Sequence, residues 1–540
     1  MTKTSTWFAL RNPTFRALWL ANILSGCCVC AHETAALWLM NSLGASNFQL
    51  SLMSTAATLP FFLFTLPAGA ISDAVDRKRM LIGTNLWLSI SAALLALMGW
   101  TRLISVPVIL AGVFLIGAGF AFNGPTFSAA VTDIVSKDEL QSAITLGSVQ
   151  MNLASILGPA LGGALLSVIG PYTIFSINSA CFLLLAAAVL GWRRLYCKLP
   201  LEKFAQSLIG AVRYVRYTPG VQVVLARNFI FGVCISTIPA LLPIVALRKL
   251  HFSSGELGLV FTSMGIGSLL CAVLVLPFGR PRLAPNVLTL VANMLLCAVF
   301  AVMALATRRM VLFVVSGFAG VAWTLAATEL WVAVQRSIPE WARGRLNAVH
   351  MVGTQGGMAL GGIAWGTLVT FTNINFTLFG AAAILFFLSL LLRPLSIDFT
   401  EKLDVEPAPL PYRFHDFPRV PKLEDGPVAI SVVFHIEAEN RERFLAAMSA
   451  VRSMMLRNGA TTWQLQQDLE NPDHFRMEMV TASWSEHLRQ HERMTHPERQ
   501  ALEHAWSFHL DGYPVPARHF LSVDREVFLF SQKAVGGNRQ

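Results

Sequence analysis

Three ionisable side chains stand inside long apolar runs of this chain: His32 and Glu33 in the first run, and Glu329 in a later one. Such groups are costly within a bilayer, so those found there tend to serve a function. A carboxyl whose burial favours its neutral form could take up and release a proton, which makes these three the candidates for proton coupling. Two placements fit Glu33: inside a membrane helix that continues past it, or at the outer interface if that helix ends early. Glu329 has a similar pair of readings at the inner mouth, and Asp133 reads as interfacial. No Gly-x-x-x-x-Gly-Lys-Ser/Thr phosphate loop occurs in the chain, which disfavours an ATP-driven pump. We expect no catalytic residue and no cofactor.

The elements that must hold these groups are membrane helices. The chain is 54% hydrophobic and 13% charged, against about 25% charged for an average soluble domain. Twelve apolar segments run from 17–40 to 373–392, including 145–169, 172–191 and 347–370. Each has about the 20 residues a helix needs to cross a 30 Å core. With the N-terminus inside, the inner loops carry fifteen basic residues and the outer loops five: Arg102, Arg248, Lys249, Arg308 and Arg309. That asymmetry places both termini in the cytoplasm. The formal charge of +10 is then explained by topology and anionic lipid, with no nucleic-acid partner. The first run is too long for a signal peptide and reads as the first membrane helix. All eight cysteines precede residue 300, and Cys27, Cys28 and Cys30 read as small packing residues on one helix.

Charge is densest in the loop Gly69 to Arg79, which contains Asp73, Asp76, Arg77, Lys78 and Arg79 between two apolar runs. It resembles the loop between the second and third helices of major facilitator superfamily transporters, with pattern Gly-x-x-x-Asp-x-x-Gly-Arg-Lys/Arg. Asp76 stands where that pattern has glycine. An internal repeat points the same way. Pro13, Asn22, Gln150 and the pair Gly158/Gly162 correspond to Pro219, Asn228, Gln355 and the pair Gly362/Gly366, at offsets of about 204 to 206 residues. Two homologous halves of six helices follow, residues 1–191 and 221–392. Between them, 192–220 has Phe204, Leu208, Val212 and Val215 at helical spacing among Lys203, Arg213 and Arg216, which suits an amphipathic helix on the inner membrane surface.

The packing motif Gly158, Pro159, Gly162 and Gly163 lets helices approach closely, and proline weakens its helix locally. It also resembles the Gly-Pro-x-x-Gly-Gly segment of facilitator-superfamily exporters. Together with the loop and the Arg343-Gly344-Arg345 triplet, it makes residues 10–395 similar to the exporter branch that includes the enterobactin exporter and transmembrane secretion effector proteins. That resemblance implies efflux of siderophore-like or drug-like amphiphilic small molecules driven by the proton gradient, as an antiporter in the bacterial plasma (inner) membrane. It also implies a cytoplasmic gate of Gly69, Asp73, Arg77, Lys78, Arg79, Arg343 and Arg345, with Asp73 facing the start of the eleventh helix. Many proton-driven relatives carry an arginine within the fourth helix, whereas this chain has none between Arg102 and Arg193. Asn22, Asn123, Gln150, Asn152 and Asn228 could line a polar cavity or bond neighbouring helices.

After a Pro-rich linker at 393–427 comes a cysteine-free polar region, 428–523, and a tail, 524–540. Strand-like alternation at Val428–Glu437, Thr461–Gln467, Phe475–Ser483 and Ala517–Val523 brackets helical spacing at Arg441–Arg457 and Trp484–Phe508. The order β-α-β-β-α-β predicts a ferredoxin-like domain. It is similar to the small α/β domain of antibiotic-biosynthesis monooxygenases, which implies a homodimer contact through this domain. His487, His491 and His496 read as an exposed polar face in preference to a metal site, because no cysteine or carboxylate cluster completes one. The fold expectation is an all-α membrane protein of twelve helices in two repeats, plus an α+β cytoplasmic domain. Its function is that of a secondary exporter. A membrane-tethered oxygenase or ligand-binding module is the alternative.

Overall fold

The computed structural model describes residues 7–192, 210, 212–280, 282–339, 343–395, 397, 408, 421–512 and 515–522. Most of the 192–220 and 393–427 linkers, the tail 524–540 and the side chains of Asp73 and Arg343 lie outside the described residues. The chain divides into two compact units: Met1–Glu202, Val223–Gln335 and Gly344–Thr400 form one, and Lys203–Gln222, Arg336–Arg343 and Glu401–Gln540 the other.

In the first unit, helix α1 spans Pro13–Ser42. Pro13 occupies its first turn, and the Asn12 side chain accepts from the amides of Thr14 (3.0 Å) and Phe15 (3.2 Å). Helix α2, Asn47–Ala74, starts from a capping box of Ser46 and Gln49. Helix α3 is Arg77–Trp100 and α4 is Val106–Ile134. Helix α5 runs from Lys137 to Leu190, with a kink at Gly170 (φ 75°), followed by Pro171. Glycine adopts that left-handed backbone without steric cost, and proline removes the next amide donor. The non-helical backbone at Gly170 thus separates two helices, in line with the predicted segments 145–169 and 172–191.

The second half begins at Pro219, as the first began at Pro13. Helix α6, Pro219–Ile235, leads into α7, Thr237–Ile244, and a π-helical turn at Val245–Lys249. Helix α8, Ser254–Leu270, continues through a second π-helical turn to Gly279. Helices α9 (Pro285–Leu305), α10 (Arg309–Ser337), α11 (Arg343–Phe371) and α12 (Ile374–Leu391) complete this half. Among the described residues, ten helical stretches are long and apolar enough to cross a membrane, by length and composition. The kinked α5 counts there as one stretch, and α11 is not among the ten. Val168, Phe371 and Phe387 stand exposed on these helices, as side chains facing lipid would.

The second unit holds a four-stranded antiparallel sheet of β1 (Val428–His435), β2 (Ala460–Gln467), β3 (His474–Thr481) and β4 (Ala517–Leu521). Its spatial order is β2-β3-β1-β4, with Val432 opposite both Met477 and Ala517. Helix α13, Arg441–Asn458, covers one face: Phe444, Met448 and Val451 pack with Ile430, Val432 and Phe434 of β1. The helix expected over Trp484–Phe508 is broken in two, α14 (Trp484–Arg493) and α15 (His496–Trp506). Thr495 and Glu498 form a capping box there, and Pro497 in the first turn supplies no amide to continue α14. The end of the 192–220 linker belongs to this unit as well. Tyr214 is buried, and Tyr217 packs on the sheet's core, while Phe204 and Leu208 of the expected amphipathic helix lie outside the described residues.

Candidate functional site

Within the first unit, α1, α2, α5, α7 and α8 surround a cavity of about 270 Å³. Glu33 lies on its wall beside Cys30 and Thr34. Helix α1 continues to Ser42, so at 1.5 Å per residue Glu33 sits about 14 Å below the helix end. The helix thus continues for nine residues past Glu33. The carboxylate has no ion-pair partner among the described residues, and the buried Ser54 hydroxyl, also on the wall, has no hydrogen-bond partner. Phe261, Met53 and Met264 supply apolar surface opposite.

Backbone contact makes the walls. A methyl group at Gly158 would come within 2.8 Å of the Cys27 carbonyl oxygen, and one at Gly162 within 2.6 Å of Ala31 Cα, so these glycines seat α5 on α1. Gly163 faces the other way: a methyl there would meet the Ser254 carbonyl oxygen at 2.7 Å, on α8. In the second half, Gly357 and Gly361 seat α11 on α6, while Gly362 faces α2 at Thr55. By packing role, Gly162 and Gly163 therefore correspond to Gly361 and Gly362, a register several residues away from the sequence pairing of Gly158 with Gly362.

Two hydrogen bonds cross between the halves and are repeats of one another. Thr55 on α2 donates to the Ala359 carbonyl on α11 at 3.0 Å, and Thr262 on α8 donates to the Ile156 carbonyl on α5 at 3.1 Å. At one end of the bundle, Arg248 reaches the α1–α2 turn, where its Nε donates to Asn41 Oδ1 at 3.2 Å and an Nη donates to the Ala45 carbonyl. Both halves are thus joined at the end nearer Glu33. The threonine pair was not singled out from sequence, although each sits one repeat length from the other.

The other candidates lie elsewhere. His32 points away from the cavity; it is 2% exposed, its ring lies 4.3 Å from that of Phe175, and neither ring nitrogen has a hydrogen-bond partner among the described residues. Glu329 is buried on α10 and accepts from Arg280 Nε at 2.7 Å. Asn123 donates to Thr84 Oγ1 on α3 at 2.9 Å, while Asn152 and Asn228 donate to carbonyls of their own helices. Asn22 and Gln150 are half-buried, and none of these five amides lines the cavity at Glu33. Cys28 Sγ lies 3.2 Å from Cys181 Sγ, joining α1 to the far part of α5.

In the Gly69–Arg79 loop, Arg77 Nη1 pairs with Asp133 at 2.9 Å and also donates to the Ala129 carbonyl. Lys78 Nζ donates to the carbonyls of Leu190 (2.8 Å) and Trp192 (2.7 Å). Asp76 is the N-cap of α3, accepting from the Arg79 amide at 2.9 Å. These cations therefore tie α3 to the ends of α4 and α5 inside one half. Arg280–Glu329 ties the end of the α8 run to α10 in the same way in the other half. Gly69 lies within α2 with open space beside its Cα, and Arg345 lies in the first turn of α11.

The histidine reading of the second unit needs correction at His487 and His491. His487 is 1% exposed, its Nε2 is 3.1 Å from His519 Nε2, and the His491 ring packs 4.8 Å from it. His487 is interior and His491 half-buried, because α14 turns this face onto β4, whereas His496 is exposed. Burial, then the charges of His491 and His519, push the His487 pKa down to about 2. Burial and then His519 lower His491 to about 4. No group of three side chains suited to a metal ion occurs among the described residues.

Against known proteins, a family model described as transmembrane secretion effector matches residues 4–527. The enterobactin exporter of Citrobacter koseri is 24% identical over 369 residues, 66% of this chain and 85% of that one. Macrolide efflux protein A of Streptococcus pyogenes is 20% identical over 270 residues, 49% of this chain and 67% of that one. The crystal structure of a bacterial homologue of the human lysosomal transporter Spinster, inward-facing and unoccupied, superposes with TM-score 0.58 at 15% identity, covering 73% of this chain and 98% of that one.

Proposed function

This chain belongs to the transmembrane secretion effector family, and from that membership and the cavity around Glu33 we propose how it works as a secondary exporter of small molecules. The cargo is a small amphiphilic molecule that occupies the cavity between the two repeats. Glu33 is the coupling group, exchanging a proton as the halves rock about the cavity. Counting the two arms of α5 separately and including α11 gives twelve spans, with both termini on the cytoplasmic side of the bacterial plasma membrane. In that topology the end joined by Arg248 and Asn41 is the outer one, so the state described faces inward. The Gly69–Arg79 loop then lies at the inner end, where Asp73 closes the gate against Arg343 and Arg345 when the halves reverse. Glu329, already paired with Arg280, has a holding role like that of Asp133.

The observation that carries this reading is the Glu33 carboxyl on the wall of a cavity shared by both halves, with no ion-pair partner among the described residues. Reconstituted protein should move a lipophilic dye in response to a proton gradient, and Glu33→Gln should abolish that response. Equal gradient dependence in wild type and Glu33→Gln would remove the coupling assignment.

A further inference from the structure

We propose that the cargo is a lipophilic cation whose positive charge pairs with Glu33, so that cargo and proton occupy one carboxylate in turn. This rests on the transport reading above and adds the charge of what is carried.

Among the described residues, Glu33 is the one charged side chain on the cavity wall. The residues that α2, α5, α7 and α8 contribute to the wall are uncharged, and Cys30 on α1 is the other titratable group there. His32, next in sequence, is turned against Phe175. Arg248, in the turn that follows α7, is bound to Asn41 and the Ala45 carbonyl. Nothing on the wall therefore neutralises the carboxylate. On a wall with no other charge the carboxylate lacks a counter-ion, and either a proton or a cationic ligand supplies the missing positive charge.

The rest of the wall suits the same ligand. Phe261 offers an aromatic face, and Met53 and Met264 offer polarisable thioethers, the surfaces that receive a soft organic cation and its apolar substituents. The unpartnered Ser54 hydroxyl can accept a hydrogen bond from a protonated amine. An anionic cargo, such as an iron chelator with carboxylate or catecholate oxygens, would meet a like charge and find no wall cation to answer it. The chemistry of this cavity thus points to protonated amines or phosphonium-like ions and away from anionic chelators.

The test uses two ions of nearly the same shape and opposite charge. Full-length protein in nanodiscs of zwitterionic lipid is titrated with tetraphenylphosphonium and with tetraphenylborate, and empty nanodiscs are subtracted. Wild type should bind the phosphonium saturably and the borate not at all. Glu33→Gln should weaken phosphonium binding at least tenfold, and Glu33→Asp, which keeps the charge, should retain part of it. Apparent phosphonium affinity should fall by up to tenfold per pH unit as the carboxyl protonates. Borate binding as tight as phosphonium, or a Glu33→Gln affinity within twofold of wild type, would overturn the proposal. Phosphonium binding with no gradient-driven movement in vesicles would overturn the transport reading and leave the charge assignment standing.

Discussion

The phenol of Tyr214 donates to the backbone carbonyl of Ser337 at 3.1 Å, with both groups buried. Tyr214 belongs to the segment between α5 and α6, and Ser337 is the last residue of α10. Arg457 lies 5.9 Å from the centre of the Tyr214 ring and pairs with the buried carboxylate of Glu498, which also accepts from Asn458 at 3.0 Å. The α/β domain thereby holds two pieces of the transporter chain within its own compact unit. Burial raises the Tyr214 pKa to about 12, so the hydroxyl stays a donor at any working pH. Tyr214→Phe keeps the ring under Arg457 but leaves the Ser337 carbonyl without this donor. We expect it to cost the second unit about 1–3 kcal/mol, read as a lowered denaturant midpoint in full-length protein.

Close packing between the halves gives a second prediction. A methyl group on Gly258 would stand 2.3 Å from the Pro159 carbonyl oxygen, which is backbone and cannot swing aside. Gly258→Val should therefore push α8 off α5 at a cost of about 1–3 kcal/mol and lower transport at least tenfold in protein that still elutes as a single species. Gly353→Ala is the control, because the added methyl there meets open space. Equal transport by the two variants would contradict the packing argument.

Asp76 distinguishes a cap from a spacer. Its carboxylate accepts from the Arg79 amide at 2.9 Å, satisfying one of the free donors at the start of α3. Asp76→Ala should destabilise the first unit by about 1 kcal/mol, whereas Asp76→Gly, which restores the superfamily pattern, should cost only a few tenths. Thermal midpoints in detergent will rank the variants, and an alanine variant as stable as the glycine one would count against the cap.

Acid should loosen the second unit. His487, His491 and His519 all have pKa values pushed below the ordinary histidine value, chiefly by burial, so the native state keeps them neutral while the unfolded chain protonates them near 6.5. Stability is then complete above about pH 6.5 and is lost as pH falls from there toward 4, where His491 itself protonates in the folded state. Pulse proteolysis of full-length protein at pH 7.5 and pH 5 should show a drop of at least about 1.4 kcal/mol for this unit, the equivalent of one pK unit. His487→Phe should reduce the drop, and identical midpoints at both values would refute it.

The long apolar helices and the β-α-β-β-α-β order were legible in the chain, because each follows from local patterning. Apolar length defines a span, alternation defines a strand, and Pro13 and Pro219 mark the same helix start in both halves. Histidines at helical spacing could not reveal whether their face met solvent or β4, and here it meets β4.

By itself the sequence determined that Glu33 is a carboxylate in an apolar run and that the chain repeats, since both are properties of residue order. Tertiary structure alone decided that Glu33 opens into a cavity while its neighbour His32 does not, and that Glu329 is already paired. One step along a helix turns a side chain by about 100°, so adjacent residues face different surroundings. What those surroundings hold depends on helices hundreds of residues away, such as α8 with Phe261 and Met264, and no local pattern records which of them will arrive.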